Sequence, residues 1–198
     1  MRVRAGWDET GAVTDLTWSV SWETELDDAA HGSLAALLGR AYAAQSVRFG
    51  DGRSWAGARP ELRVVARSPD GTPVAHAGIV RRFLRALPDG PDVLVGDVGL
   101  VAVDPDRHGN GVGRVLMAQV VTALVDLDVP FGFVSCGPAV EGFYRAAGWT
   151  RLPGVSVHLI DTHHRTRVDP GPAMVHAAGR PLSAWPAATV LARDGQLV

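Results

Sequence analysis

From Leu16 to Trp22 the apolar residues occupy every second position (Leu16, Trp18, Val20, Trp22), which predicts a strand with one face buried. The period then lengthens. Ala30, Leu34, Leu37, Leu38, Ala41 and Tyr42 recur at helical spacing behind Asp27 and Asp28, either of which can cap a helix start. A glycine-rich stretch, 49–60, predicts a loop. The extended runs ELRVVARS (61–68) and PVAHAGIVRRFLRAL (73–87) follow, joined by PDGT as a hairpin turn. VLVGDVGLVAV (93–103) is too apolar for a strand with one wet face, so a central strand is expected there. Val112, Val115, Leu116, Gln119, Val120, Ala123 and Leu124 again fall near helical spacing. A short apolar strand, VPFGFVSC (129–136), precedes PAVEGFYRAAGW (138–149), a helix opening at Pro138 and stopping at Gly148. Beyond 151, strand-like pieces (VSVHLI, MVHAA, ATVLA) alternate with Pro/Gly loops. The pattern predicts one α/β domain over 1–198, with residues 1–12 outside its ordered part and a β–α–β–α unit in its second half.

Composition narrows the class of function. The 198 residues are 46% hydrophobic and 20% charged, ordinary for a globular chain with one sizeable core. The formal charge is −2 and all 19 basic residues are arginine without clustering, which argues against nucleic acid as a partner. A single cysteine, Cys136, excludes an internal disulfide and argues against a thiolate metal site. No apolar stretch has the length of a membrane span and the first residues lack the apolar core of a signal peptide, so a cytoplasmic protein is expected.

The stretch 104–127 carries the first chemical signal. A strand ending at Val103 leads through a turn and three glycines, Gly109, Gly111 and Gly113, into a helix. Helix-start amides lack internal partners, the helix dipole favours negative charge there, and glycines let a phosphate approach the backbone. No Gly-Lys-Ser/Thr follows, which excludes a Walker loop, and the G-x-G-x-G spacing differs from the dinucleotide G-x-G-x-x-G. VAVDPDRHGNGVGRVLM (101–117) resembles the acyl-CoA pyrophosphate loop of the GNAT superfamily of N-acetyltransferases, matching at Val103, Pro105, Gly111, Gly113, Arg114 and Leu116. His108 departs from it, standing where that pattern has Arg or Gln. GFYRAAGW (142–149) resembles the superfamily's F-Y-x-x-x-G-F helix, about 30 residues on.

The resemblance implies a mixed, mostly antiparallel twisted sheet flanked by helices, with acetyl-CoA as acyl donor and no metal. It places Leu100, Val101, Ala102 and Val103, then His108, Gly109, Asn110, Gly111, Val112, Gly113 and Arg114, against the cofactor, with Ser135 and Phe143 beside them. The backbone near Val101 and Val103 would pair with the pantetheine like an added strand. Tyr144 takes the general-acid position, where a neutral phenol can protonate the departing thiolate.

A narrower likeness covers nearly the whole chain. RSWAGARPELR (53–63), GRPLSAWPAATVLARDGQL (179–197), LTWSVSWETEL, RRFL and VPFGF resemble segments of the nodulation N-acyltransferase (NodA) family, which places a fatty acyl group on the free glucosamine amine of a chitin oligosaccharide. VAHAGIVRRFL, the strand into VAVDPD, Ser135, YRAAGW and Trp185 are similar to aminoglycoside 2'-N-acetyltransferases. Both relatives acylate the amine at carbon 2 of an amino sugar. The glycine-complete loop tilts the expectation toward acetyl-CoA and an aminoglycoside-type antibiotic as acceptor. The alternatives are a NodA-like transfer of a longer chain from acyl carrier protein or acyl-CoA, and a catalytically silent acyl-CoA-binding module. Superfamily members are frequently dimers, so a homodimer is an expectation too.

Asp97, on the central strand just before the loop, matches an acidic position of the NodA family and is a candidate base; an ordinary hydrogen-bonded strand residue fits equally. His76 could line the acceptor site or be a satisfied core histidine, and Trp55 could stack on a sugar ring or be buried. Ser135 and Trp185 complete the candidate acceptor residues. The paired histidines of DTHHRTR lack further ligands at zinc spacing, and Cys136 has no activating neighbour, so it is read as structural.

Overall fold

A computed structural model of the protein describes Val13, residues 15–45 and residues 47–198. The expectation for residues 1–12 lies outside the described residues. The chain forms two compact units, one running to Ile79 and including Leu100–Val120, the other comprising Val80–Gly99 and Val121–Val198.

In the first unit, β1 (Thr17–Trp22) pairs antiparallel with β2 (Leu62–Arg67), from Thr17↔Arg67 to Trp22↔Leu62. β2 pairs in turn with the first half of β3 (Pro73–Leu87), Leu62 facing Ile79. The alternation in β1 marks a strand, but its face is not sealed: Trp18 is 6% exposed, Val20 37% and Trp22 43%. Among the described residues β1 pairs with β2 alone, which leaves it an edge strand there. Helix α1 (Asp28–Ala41) begins where expected, with the Asp27 carboxylate accepting from the Ala30 amide at 2.8 Å. Its buried stripe, Leu34, Leu37 and Leu38, repeats at helical spacing, and Leu38 packs with Leu100 and Ala102 of β4 (Asp92–Val103).

In the second unit the strand order is β6–β9–β5–β4–β3–β10–β7–β8. The new strands are β5 (Phe131–Ser135), β6 (Thr150–Arg151), β7 (Ser156–Ile160), β8 (Thr166–Asp169), β9 (Ala173–Ala177) and β10 (Val190–Arg193). β4 runs parallel to β5, with Asp97 opposite Phe133, and β10 runs parallel to β7; β3–β10, β5–β9, β6–β9 and β7–β8 are antiparallel. The sheet is therefore mixed and mostly antiparallel, with helices, as the resemblance implied. Leu84, Ala86, Val95, Phe131, Phe133, Val175 and Leu191 form its core. Gly132 is needed there for space: a methyl group would lie 2.6 Å from Leu124 Cδ1 and 2.8 Å from Trp149 Cη2.

Helix α2 (Val112–Asp126) buries Val112, Leu116, Met117, Val120, Ala123 and Leu124, so Val115 and Gln119 of the expected stripe sit at its margin. The expected 138–149 helix is shorter. Pro138–Val140 is a 3₁₀ turn, and α3 spans only Glu141–Ala146 before Gly148 takes a φ of +85°. The two-residue β6 and the exposed β8 were not expected; neither is long or apolar enough to show a period of two. Among the described residues no helix is long and apolar enough to cross a membrane.

Candidate functional site

The glycine entrance to α2 has the backbone that an anion cradle requires. Gly109 and Gly111 have φ of +79° and +75°, a region open to glycine and strained for other residues. A methyl at 109 would meet nothing within 4 Å among the described residues. The amides of Arg114 and Val115 bond back to the Gly111 carbonyl, which makes Gly111 the residue that starts the helix. Residues 108–111 are exposed, Val112 is buried and Gly113 half-buried. The discordant His108 turns its ring onto the preceding strand, Nε2 donating to the Val103 carbonyl at 3.1 Å. Tyr42 donates to the Val101 carbonyl at 3.1 Å, and burial pushes its phenol up to about 12. Each of these carbonyls thus already accepts one side-chain hydrogen bond and keeps its second lone pair.

Leu100 lies between Asp97 and this loop with φ +51°, a conformation that costs a branched side chain of order 1 kcal/mol or more. A buried chain of polar groups holds it. Glu23 takes Arg63 Nε at 2.6 Å and Nη2 at 3.0 Å, and Arg59 Nε at 2.6 Å. Arg63 Nη1 donates to the Ser54 carbonyl and, at 3.0 Å, to His76 Nε2. The other nitrogen, Nδ1, faces the Leu100 carbonyl at 2.8 Å. A carbonyl only accepts, so Nδ1 carries the hydrogen and Nε2 is the acceptor from Arg63. Burial, helped by the Arg63 charge, lowers His76 to about 3, and the ring is neutral. Burial pushes the Glu23 carboxyl up, but the bonds and charges of Arg63 and Arg59 outweigh it and hold the group below its usual value. His76 is fully buried and spends both nitrogens on this chain. Trp55 is half-buried, with His31 edge-on at 5.7 Å and the Arg59 guanidinium 4.8 Å above its ring.

The second unit holds a different cluster, centred on Asp97, which is 1% exposed. Arg193 Nη2 donates to Asp97 Oδ1 at 3.1 Å and to Ser135 Oγ at 3.3 Å, while Arg82 Nε stands 3.0 Å from Asp97 Oδ2. The Arg193 guanidinium lies 5.4 Å over the Phe133 ring, and Trp185 packs parallel to Phe133 and edge-on to Phe131. Burial raises the Asp97 carboxyl above its usual range against the pull of both arginines. Tyr144 is 5% exposed, edge-on to Phe143 at 5.2 Å and to Trp149 at 6.0 Å, whereas Phe143 itself is 36% exposed. Cys136 is buried, and burial pushes its thiol up to about 11, away from a reactive thiolate.

The structure thus brings together Asp97 and Ser135, and separately joins His76 to Leu100. Arg82 and Arg193 were missed in the sequence. Their signal was parity: Arg82 alternates with the inward Leu84 and Ala86, and Arg193 with Leu191, while Arg81, Phe83 and Arg85 face out.

A family model described as nodulation protein A (NodA) matches residues 13–198. The chain belongs to the NodA family. Nodulation protein A of Bradyrhizobium elkanii is 36% identical over 202 residues, covering 95% of this chain and 94% of that one. The Rhizobium tropici protein is 38% identical over 193 residues, covering 91% and 96%. Among solved structures, the GNAT family N-acetyltransferase YhbS from Escherichia coli, in complex with CoA, superposes with a TM-score of 0.60 at 13% identity over 96% of this chain and 94% of that one. Escherichia coli ElaA gives 0.56 at 18% identity, covering 81% and 99%. At those identities the likeness shows the fold alone, and that fold is the GNAT fold. This NodA-family chain is accordingly an acyltransferase rather than a silent module.

Proposed function

We propose that this NodA-family protein moves an acyl chain from a thioester to the free amine of a glucosamine-type sugar. One observation carries the reading: relatives 36–38% identical over more than nine-tenths of both chains are NodA proteins. The expected aminoglycoside acceptor has no such support. It also fits the electrostatics poorly, because the buried Arg193 and half-buried Arg82 guanidiniums beside Asp97 oppose a polycation. The left-handed glycines before α2 favour a phosphopantetheine-bearing donor, and a CoA complex of the GNAT neighbour YhbS is in keeping with that. Acyl-CoA and acyl carrier protein both present this group, so the chain length and carrier of the donor belong to the test.

The amine nitrogen attacks the thioester carbonyl, a C–N bond forms, and the C–S bond breaks as thiolate leaves. Asp97, held basic by burial, takes the proton lost by the amine, and Tyr144 gives one to the thiolate. Ser135, bonded to Arg193, and Trp185 form the acceptor side. The test offers a chitin oligosaccharide with a free terminal amine, alongside kasugamycin-like and gentamicin-like aminoglycosides, with acetyl- and long-chain donors on CoA and on carrier protein. Mass spectrometry should find the acyl group on the glucosamine amine. Acylation of the aminoglycosides alone would overturn the reading.

A further inference from the structure

The cluster around Asp97 is unbalanced in a way the proposed reaction does not use. Two guanidiniums press on one carboxylate, with side chains 1% (Arg193), 14% (Arg82) and 2% (Asp97) exposed. Asp169, the other acid whose charge reaches Asp97, is tied through Oδ1 to the Gly171 amide and pairs with neither arginine. Contact by contact among the described residues, one positive charge has no counter-charge. The donors tell the same story: Arg193 Nε and Nη1, both buried, have no hydrogen-bond acceptor, and Arg82 Nε is misaligned with the Asp97 oxygen it faces. Phe133 covers one face of the Arg193 guanidinium, so the open N–H groups point out around its plane. Leaving buried charged donors unmatched is among the most unfavourable arrangements a folded chain can hold, and an incoming anion removes the penalty. The cluster reaches the surface at the half-buried Ser135 and Arg82.

We propose that Arg193, with Arg82 and Ser135, forms a subsite for an anionic substituent of carboxylate class on the acceptor sugar. This rests on the reading of the protein as an amino-sugar acyltransferase with the acceptor beside Asp97. The subsite selects acceptors that carry a carboxylate near the reactive amine. Charge-assisted bonds from guanidinium to carboxylate provide the discrimination, and the absence of competing water strengthens them.

The experiment compares muramic acid, a glucosamine bearing a lactyl carboxylate, with its methyl ester, which keeps the amine and the shape but lacks the charge. Binding of each is measured by calorimetry at neutral pH to wild-type protein and to Arg193→Gln. Wild type should bind the acid at least about tenfold more tightly than the ester, the size expected of a charge-assisted bond to an otherwise unmatched guanidinium. Arg193→Gln should erase that ratio. Equal binding of acid and ester by wild type, binding of neither, or an acid preference that survives in Arg193→Gln overturns the subsite. The wild-type ratio decides even where the variant does not fold. Binding needs no turnover, so the two readings fail separately: acid preference without acyl transfer sinks the enzymatic reading, and transfer to glucosamine without acid preference sinks the subsite.

Discussion

Glu23 and Arg63 show how much can rest on one buried pair. Arg63 is fully buried and, among the described residues, its guanidinium is matched through Glu23, His76 and the Ser54 carbonyl. Glu23→Gln keeps the volume but strands the Arg63 charge, which should destabilise the protein by about 3–5 kcal/mol in urea unfolding. A loss under about 1 kcal/mol would mean that the pair is not an isolated buried charge. Removing both partners together, as Glu23→Leu with Arg63→Met, should cost much less than either single change, because no orphan charge remains. At Tyr144 the expectation is kinetic: Tyr144→Phe keeps the ring against Phe143 and Trp149 and removes the hydroxyl that would give the proton. Its kcat should fall about 100-fold or more with KM little changed, and an intact rate would remove Tyr144 from the acid role.

Elements carry the glycine effects. Gly132 sits in β5 with an ordinary φ, and its constraint is steric, since Leu124 and Trp149 fill the space a methyl would take. Gly132→Ala should lower stability by about 1–3 kcal/mol through overpacking, read as a shifted denaturation midpoint with an unchanged slope. Gly111 differs: among the described residues a methyl there meets only Val13 Cγ2 at 3.8 Å, so its cost is conformational, from φ +75°. Gly111→Ala should cost roughly 1 kcal/mol of stability and raise the donor KM more than it lowers kcat, because the amides before α2 lose their aim. A variant with unchanged donor KM would show that these amides do not hold the donor. The sequence marked Gly111 through the G-x-G-x-G motif, whereas the need for Gly132 was invisible there because Leu124 and Trp149 meet it only in the folded chain.

At the scale of the whole molecule the pH response is the sum of its buried titrating groups. His76 is lowered from 6.5 to about 3 by folding, so its stabilising contribution is complete above 6.5 and declines as pH falls toward 3. From pH 7 to pH 5 it should remove about 2 kcal/mol from the unfolding free energy. Asp97, raised on folding, acts in the opposite sense, so the comparison of interest is wild type against His76→Gln. The variant should show a visibly flatter dependence between those two pH values; equal slopes would place a proton on folded His76. Much of the architecture was legible beforehand because it is local. Helical spacing and Asp27 fixed α1, a continuous apolar run marked β4, and the glycines with Gly148 punctuated α2 and α3. The family was legible because its motifs lie in order along the chain. The partnerships of charge were not: Arg193 meets Asp97 across 96 residues, Arg63 meets Glu23 across 40, and His76 meets Leu100 across 24. Periodicity says which face of a strand a residue takes, but strand order and register say what stands opposite. Sequence alone therefore determined the elements and the kind of chemistry, while only the tertiary structure decided that Asp97 lies under two arginines and that His76 is neutral and sealed. The reason is physical: backbone period and turn chemistry act over a few residues, whereas burial and Coulomb pairing act only once distant strands are side by side.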